Sequence, residues 1–141
     1  MVYGISRNSE KLESLKASLT NPANFNYLSK DVVNLNQNDI NDFIKDSKVD
    51  VLVNNAGHLI NKPFSEIKYD NYRELMDVNF WGAFNLSQLL VKKLSNANGQ
   101  IINISSMGGI NYTSKFPGLS LYSSSKAALS VFTECLAVEL Q

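Results

Sequence analysis

Short apolar runs alternate along the chain with longer stretches in which apolar residues recur every three or four positions. Residues 2–5 (Val-Tyr-Gly-Ile) form the first run and read as a strand. Polar turn residues follow, with Ser9 as a candidate N-cap and Leu12, Leu15 and Leu19 as the stripe of a first helix that Asn21-Pro22 ends. Residues 25–29 alternate Phe25, Tyr27 and Ser29 and predict a second strand. A second helix is expected over 36–46, with Ile40, Phe43 and Ile44 on one face. Residues 49–53 are β-branched and mostly apolar, as strands buried on both faces of a parallel sheet tend to be. After a loop with Pro63, helical spacing returns over 65–94, with a break expected near Asp70 and a stop at Asn98-Gly99. Residues 100–104 predict a fourth strand, 107–121 a loop containing Gly and Ser, and a last helix runs from about Leu121 to the C-terminus. This order of strands and helices predicts an α/β fold on a parallel sheet, as one domain over residues 1–141.

Composition narrows the function classes. At 44% hydrophobic and 18% charged, the 141 residues suit a globular domain. Thirteen basic residues balance thirteen acidic ones, so there is no electrostatic case for nucleic acid or an anionic membrane. Cys135 is the only cysteine, which removes an intramolecular disulfide and a cysteine metal cluster; it is expected as a small buried side chain. His58 is the only histidine, so paired-histidine metal motifs are out and no metal site is expected. No apolar run approaches the ~18 residues of a membrane span and no signal-peptide pattern is visible, so a cytoplasmic protein is expected.

The candidate chemistry centres on Tyr122-Ser123-Ser124-Ser125-Lys126. Tyrosine and lysine four apart at the start of a helical run share one face. An ammonium beside a phenol stabilises phenolate and is expected to lower the phenol's pKa, making it a usable proton donor and acceptor. The spacing alone is common. Its company is less so: Asn54-Asn55-Ala56-Gly57 after the third strand, Asn79 in Val78-Asn79-Phe80-Trp81-Gly82, and Ser106 at the end of Asn103-Ile104-Ser105-Ser106.

With these four motifs in this order, the whole chain resembles the short-chain dehydrogenase/reductase family in its main single-domain branch. The resemblance implies a Rossmann-like doubly wound parallel sheet and hydride transfer between NADP(H) and a carbonyl or alcohol substrate. It makes Tyr122 the proton donor and a contact of the cofactor. Lys126 tunes that phenol and holds the nicotinamide ribose, Ser106 donates to the substrate oxygen, and Asn79 holds a water that links Lys126 to solvent. It also places Arg7 at the 2′-phosphate of NADP, Asp31 and Val32 at the adenine, and Asn55, Ala56 and Gly57 along the adenosine ribose and phosphate. With Ser6-Arg7-Asn8 where an acidic residue would bind the ribose of NAD, NADP is expected ahead of NAD. Relatives assemble through the helix before the fourth strand and the Tyr/Lys helix, so a homodimer or homotetramer is expected. The loop at 107–121, with Tyr112, Phe116 and Leu119, is expected to wall the substrate site.

The chain departs from the family in lacking the opening strand and the Gly-rich turn that anchors the pyrophosphate, and in stopping soon after Lys126. It looks truncated at both ends, and the isolated chain is expected to be inactive. The missing strand lies centrally in the family's sheet, so a gap, a rearrangement or a borrowed strand is expected between the first and third strands. The alternative function is a truncated, non-catalytic relative serving as an interaction or structural module.

Overall fold

The structure of the chain is a computed structural model that describes residues 1–45 and 48–140. Strand β1 (Val2–Ser6) leads into helix α1 (Ser9–Ser18), and β2 (Phe25–Ser29) returns parallel to β1 in register Val2 with Phe25 through Ser6 with Ser29. The cap of α1 is Asn8 and not Ser9: the Asn8 side chain accepts from the Lys11 N–H at 2.8 Å, and an amide oxygen serves an orphan donor as well as a hydroxyl does. Only Leu12 of the expected stripe is buried. Leu15 and Leu19 stay exposed, because α1 contacts its own β1–β2 pair through a single row. Helix α2 (Gln37–Phe43) starts at Asn36, whose side chain accepts from Asn38 and Asp39 N–H while Asp39 Oδ2 accepts from Asn36 N–H, a reciprocal cap. It ends earlier than the sequence suggests, and Asp46, the last position expected in it, lies outside the described residues.

Strand β3 (Val51–Asn54) pairs in parallel with β4 (Gln100–Asn103), Val51 opposite Gln100 and Asn54 opposite Asn103. Both strands are one residue shorter than the apolar runs that announce them. Between them lie α3 (Tyr69–Met76), a π-helical turn (Asp77–Trp81) and α4 (Gly82–Ser95). The break expected near Asp70 is found just before it, where a 3-10 turn (Phe64–Glu66) and the non-helical Ile67 and Lys68 precede α3; the π turn is a second interruption, at which Gly82 N–H reaches back to Asp77 O instead of Val78 O. Asn98, at φ 51°, and Gly99 end α4 as expected, and a Cβ on Gly99 would stand 2.5 Å from the Val49 carbonyl oxygen. Helix α5 (Ser120–Glu139) closes the described chain; Gln141 lies outside it.

The core is the contact of α2 and α4 with β3: Ile40, Ile44, Leu52, Leu86, Leu90 and Leu94, with Leu35 beside them. Each such side chain contributes about 1.5–3 kcal/mol by leaving water. Around it the α/β architecture with parallel strands is the one the alternation predicts, but the strands form two separate two-stranded sheets, β1–β2 and β3–β4. Among the described residues no ladder joins β1 to β3. A cleft of about 1260 Å³ separates them, lined by Val2, Tyr3 and Ile5 on one side and Val51 and Val53 on the other. Of the three expected outcomes, the gap is the one found. It also corrects the expectation that the third strand is buried on both faces: Val51 and Val53 are half exposed because they open onto this cleft.

Candidate functional site

Tyr122 and Lys126 lie one turn apart near the start of α5, which the run Ala127-Ala128-Leu129 favours as helix. Lys126 is not the solvated cation that its spacing alone allows. It is 4% exposed, and its Nζ donates to the Ile104 carbonyl at the end of β4, 2.8 Å away. Burial holds its pKa below the ordinary lysine value, and no carboxylate among the described residues reaches it. The same strand end is tied to α5 by Ser105, whose Oγ donates to the Lys126 carbonyl at 2.9 Å and lies 2.9 Å from Ser130 Oγ. The Tyr122 phenol is half-buried and finds no hydrogen-bond partner among the described residues.

Asn79 sits in the π turn, 1% exposed. Its Oδ1 accepts from the His58 N–H at 2.6 Å, and its Nδ2 donates to the His58 carbonyl and to Ser125 Oγ, each at 2.9 Å. A π turn shifts the side-chain register by one position, and here the shifted side chain grips the loop that follows β3. Gly57 in that loop is the meeting point. A Cβ there would lie 3.6 Å from Lys126 Nζ and 3.7 Å from Asn79 Oδ1, in ordinary van der Waals contact with both. Ser106 caps a short 3-10 turn (Met107–Gly109) by accepting from Gly108 N–H at 3.3 Å. Its hydroxyl hydrogen remains to be given. Gly108 lies against Ser123, next to Tyr122, so Ser106 and Tyr122 flank the same turn.

Of the eight residues expected at a cofactor, Arg7, Asp31, Val32, Asn55, Ala56 and Gly57 line the cleft between the two sheets, while Tyr122 and Lys126 lie outside its lining. Arg7 is exposed, with Nη1 3.9 Å from Asp31 Oδ2. Asp31 Oδ1 accepts from Val33 N–H at 3.1 Å and so holds Val32 in place against Gly82. The four expected catalytic side chains lie outside this lining and join it at Gly57. Asn54 and Asn103 form a buried polar bridge across β3 and β4. Asn54 Nδ2 donates to Asn103 Oδ1 at 2.8 Å and to Ser87 Oγ of α4 at 3.1 Å, while Asn103 Nδ2 donates to Thr133 Oγ1 of α5 at 2.8 Å.

Two participants escape a reading of the sequence. Ser125 joins Asn79 to α5, and His58 joins it to the loop through backbone atoms; both partnerships span twenty or more positions and leave no local pattern. Cys135, expected buried, is exposed. It lines a groove of about 740 Å³ between α4 and α5, so the apolar run around it covers more than one helix face. Tyr112 and Phe116, expected as a wall, stand exposed on their loop.

Against known families, the model described as short chain dehydrogenase matches residues 1–141. The chain belongs to the short chain dehydrogenase family. Its curated relatives include the very-long-chain 3-oxoacyl-CoA reductase of Coccidioides immitis, 31% identical over 147 aligned positions, which cover 97% of this chain and 41% of that protein. Among solved structures, a short-chain dehydrogenase from Streptomyces avermitilis is 34% identical with a TM-score of 0.84, over 99% of this chain and 51% of that one. The protein ElxO, solved with NADP bound, is 30% identical with a TM-score of 0.84, over 99% of this chain and 57% of that one. The chain thus spans about half the length of these two solved chains and less than half that of the curated relative. The two separated strand pairs keep the family's Rossmann-like arrangement. No helix among the described residues is long and apolar enough to cross a membrane.

Proposed function

We propose that the chain carries the catalytic groups of a reductase that transfers a hydride between NADP(H) and a small carbonyl or alcohol substrate, in the cytoplasm. The observation that carries this reading is the convergence of a buried Lys126, one turn after Tyr122, with Asn79 on the open backbone of Gly57. The residues present suit the nucleoside ends of such a cofactor. The cleft has room for it, Gly57 offers a cradle that a Cβ would fill, and Arg7 presents an exposed guanidinium. When bound, the nicotinamide supplies or takes the hydride.

The protein's own part is the proton. As the carbonyl carbon gains a hydride, its oxygen gains negative charge. Ser106 donates a hydrogen bond to that oxygen and Tyr122 gives it a proton, completing the alcohol. The positive charge of Lys126 stabilises the phenolate left behind, and two of its three N–H donors remain beyond the one spent on Ile104. Asn79 keeps the adjoining loop in place. The test is loss of NADPH absorbance with a panel of aldehydes, ketones and 3-oxoacyl thioesters, using the protein expressed from its whole reading frame. No oxidation with any of them counts against the proposal.

The choice of NADP rests on Arg7, with the NADP-bound relative in support. Arg7→Asp is expected to weaken NADPH binding by roughly 10- to 100-fold, the scale of one charge-assisted hydrogen bond, and to leave NADH nearly unaffected. Initial rates with both cofactors decide it; an unmodified protein that already prefers NADH removes Arg7 from the site.

The assembly proposed is a homodimer or homotetramer through α4 and α5. Their groove exposes Val131 beside Phe84 and Phe132, whose ring centroids are 5.0 Å apart, and Trp81 stacks on Phe84 at 5.7 Å. Apolar surface of this extent marks an interface more often than a solvated face. Light scattering at micromolar concentration is expected to give at least twice the monomer mass; a monomer there rules the assembly out.

A further inference from the structure

We infer that Ser125 is a positioning residue that couples the catalytic helix to the cofactor loop, an inference that rests on the reductase reading above. The Ser125 side chain is completely buried and makes two hydrogen bonds: Oγ donates to the Tyr122 carbonyl at 2.7 Å and accepts from Asn79 Nδ2 at 2.9 Å. Asn79 spends its remaining amide hydrogen and its oxygen on the His58 backbone, at 2.9 and 2.6 Å. His58 is fixed a second time through its ring, Nε2 lying 3.2 Å from Glu74 Oε1 on α3. A closed chain of hydrogen bonds therefore runs from the Tyr122 carbonyl through Ser125 and Asn79 to His58, which directly follows Asn55-Ala56-Gly57. The hydroxyl fixes which way round the Asn79 amide sits. With Nδ2 held toward Ser125, Oδ1 must face the His58 N–H. Without that acceptor, a buried amide hydrogen loses its partner and the grip on the loop loosens.

The neighbouring serine supplies a matched control. Ser124 Oγ donates to the Ser120 carbonyl at 2.8 Å, a helical bond like that of Ser125, but Ser124 is exposed and reaches no other element among the described residues. Ser125→Ala is expected to raise KM for NADPH about tenfold with kcat within about threefold of the unmodified protein, whereas Ser124→Ala leaves both unchanged. A merely structural role would lower the melting temperature without this split. Ser125→Thr, which keeps the hydroxyl, is expected to hold KM within about threefold, and it decides the matter if the alanine variant fails to fold. Equal KM in Ser125→Ala and the unmodified protein overturns the inference, as does a tenfold rise in Ser125→Thr. Loss of all turnover in Tyr122→Phe, measured alongside, upholds the reductase reading whichever way Ser125 behaves; an unmodified protein with no NADPH turnover fails that reading instead.

Discussion

Tyr122→Phe, in the protein expressed from its whole reading frame, is expected to lower turnover by at least about a thousandfold, the scale of a lost proton donor. The substitution removes one oxygen and little else. The ring keeps its place on α5, and the Tyr122 backbone carbonyl still accepts from Ser125 Oγ. The phenol has no partner among the described residues, so its removal strands no buried group and the fold bears little cost. Cofactor affinity should stay within a few-fold, since the cleft residues are untouched. Single-turnover rates together with a fluorescence titration of NADPH separate chemistry from binding. Near-normal turnover would remove Tyr122 from the reaction, and with it the supporting roles of Lys126 and Ser106.

Lys126→Met should cost turnover on a similar scale, weaken NADPH binding more than Tyr122→Phe does, and yet make the protein more stable. The reason is the desolvated ammonium. Lys126 is buried with one carbonyl for company, and burial lowers its pKa from the ordinary 10.5. Wherever both the folded and the unfolded chain carry the proton, folding bears the cost of burying the charge. Between the lowered value and 10.5 the unfolded chain binds more protons, so stability rises with pH in that window and the gain is complete above it. Methionine fills nearly the same space without the charge, and such replacements commonly gain about 1 kcal/mol. Melts at pH 7 and pH 10 should show Lys126→Met ahead at pH 7 and the two proteins drawing together at pH 10. A methionine variant that melts well below the unmodified protein at pH 7 would mean that the Ile104 contact outweighs desolvation.

Much of the fold is written in local order. The run at 2–5 and the alternation at 25–29 give β1 and β2 nearly to the residue, because strand ends are set by turn residues such as Ser6 and Asn24 that are visible in place. Helix starts are harder to place: Asn8 and Ser9 are both good caps, and the choice between them turns on one contact with Lys11. The π turn has no local signature. It exists because Asn79 is drawn to His58 and Ser125, partners 21 and 46 positions away. The motif residues gather where their order in the chain suggests, but their environment does not follow from residue type. Lys126 at 4% exposure and Cys135 on the surface both invert the usual habit of lysine and cysteine, and each follows from which face of α5 meets β4 and which is left facing the α4–α5 groove.

On the reductase reading, the division of the strands into two pairs would give a bound dinucleotide a second part to play. Arg7, Asp31 and Val32 stand on the β1–β2 side of the cleft, and Asn55, Ala56 and Gly57 on the β3–β4 side. Among the described residues no backbone ladder crosses between them. A molecule that touches both sides becomes a strut, and its binding energy counts toward folding. By mass action a ligand present at a hundred times its Kd adds about 2.7 kcal/mol to the state that binds it. That is a sizeable share of the ~5–15 kcal/mol that holds an ordinary domain together. Occupancy of the cleft would then govern how long the protein survives heat and proteolysis, as well as whether it can turn over.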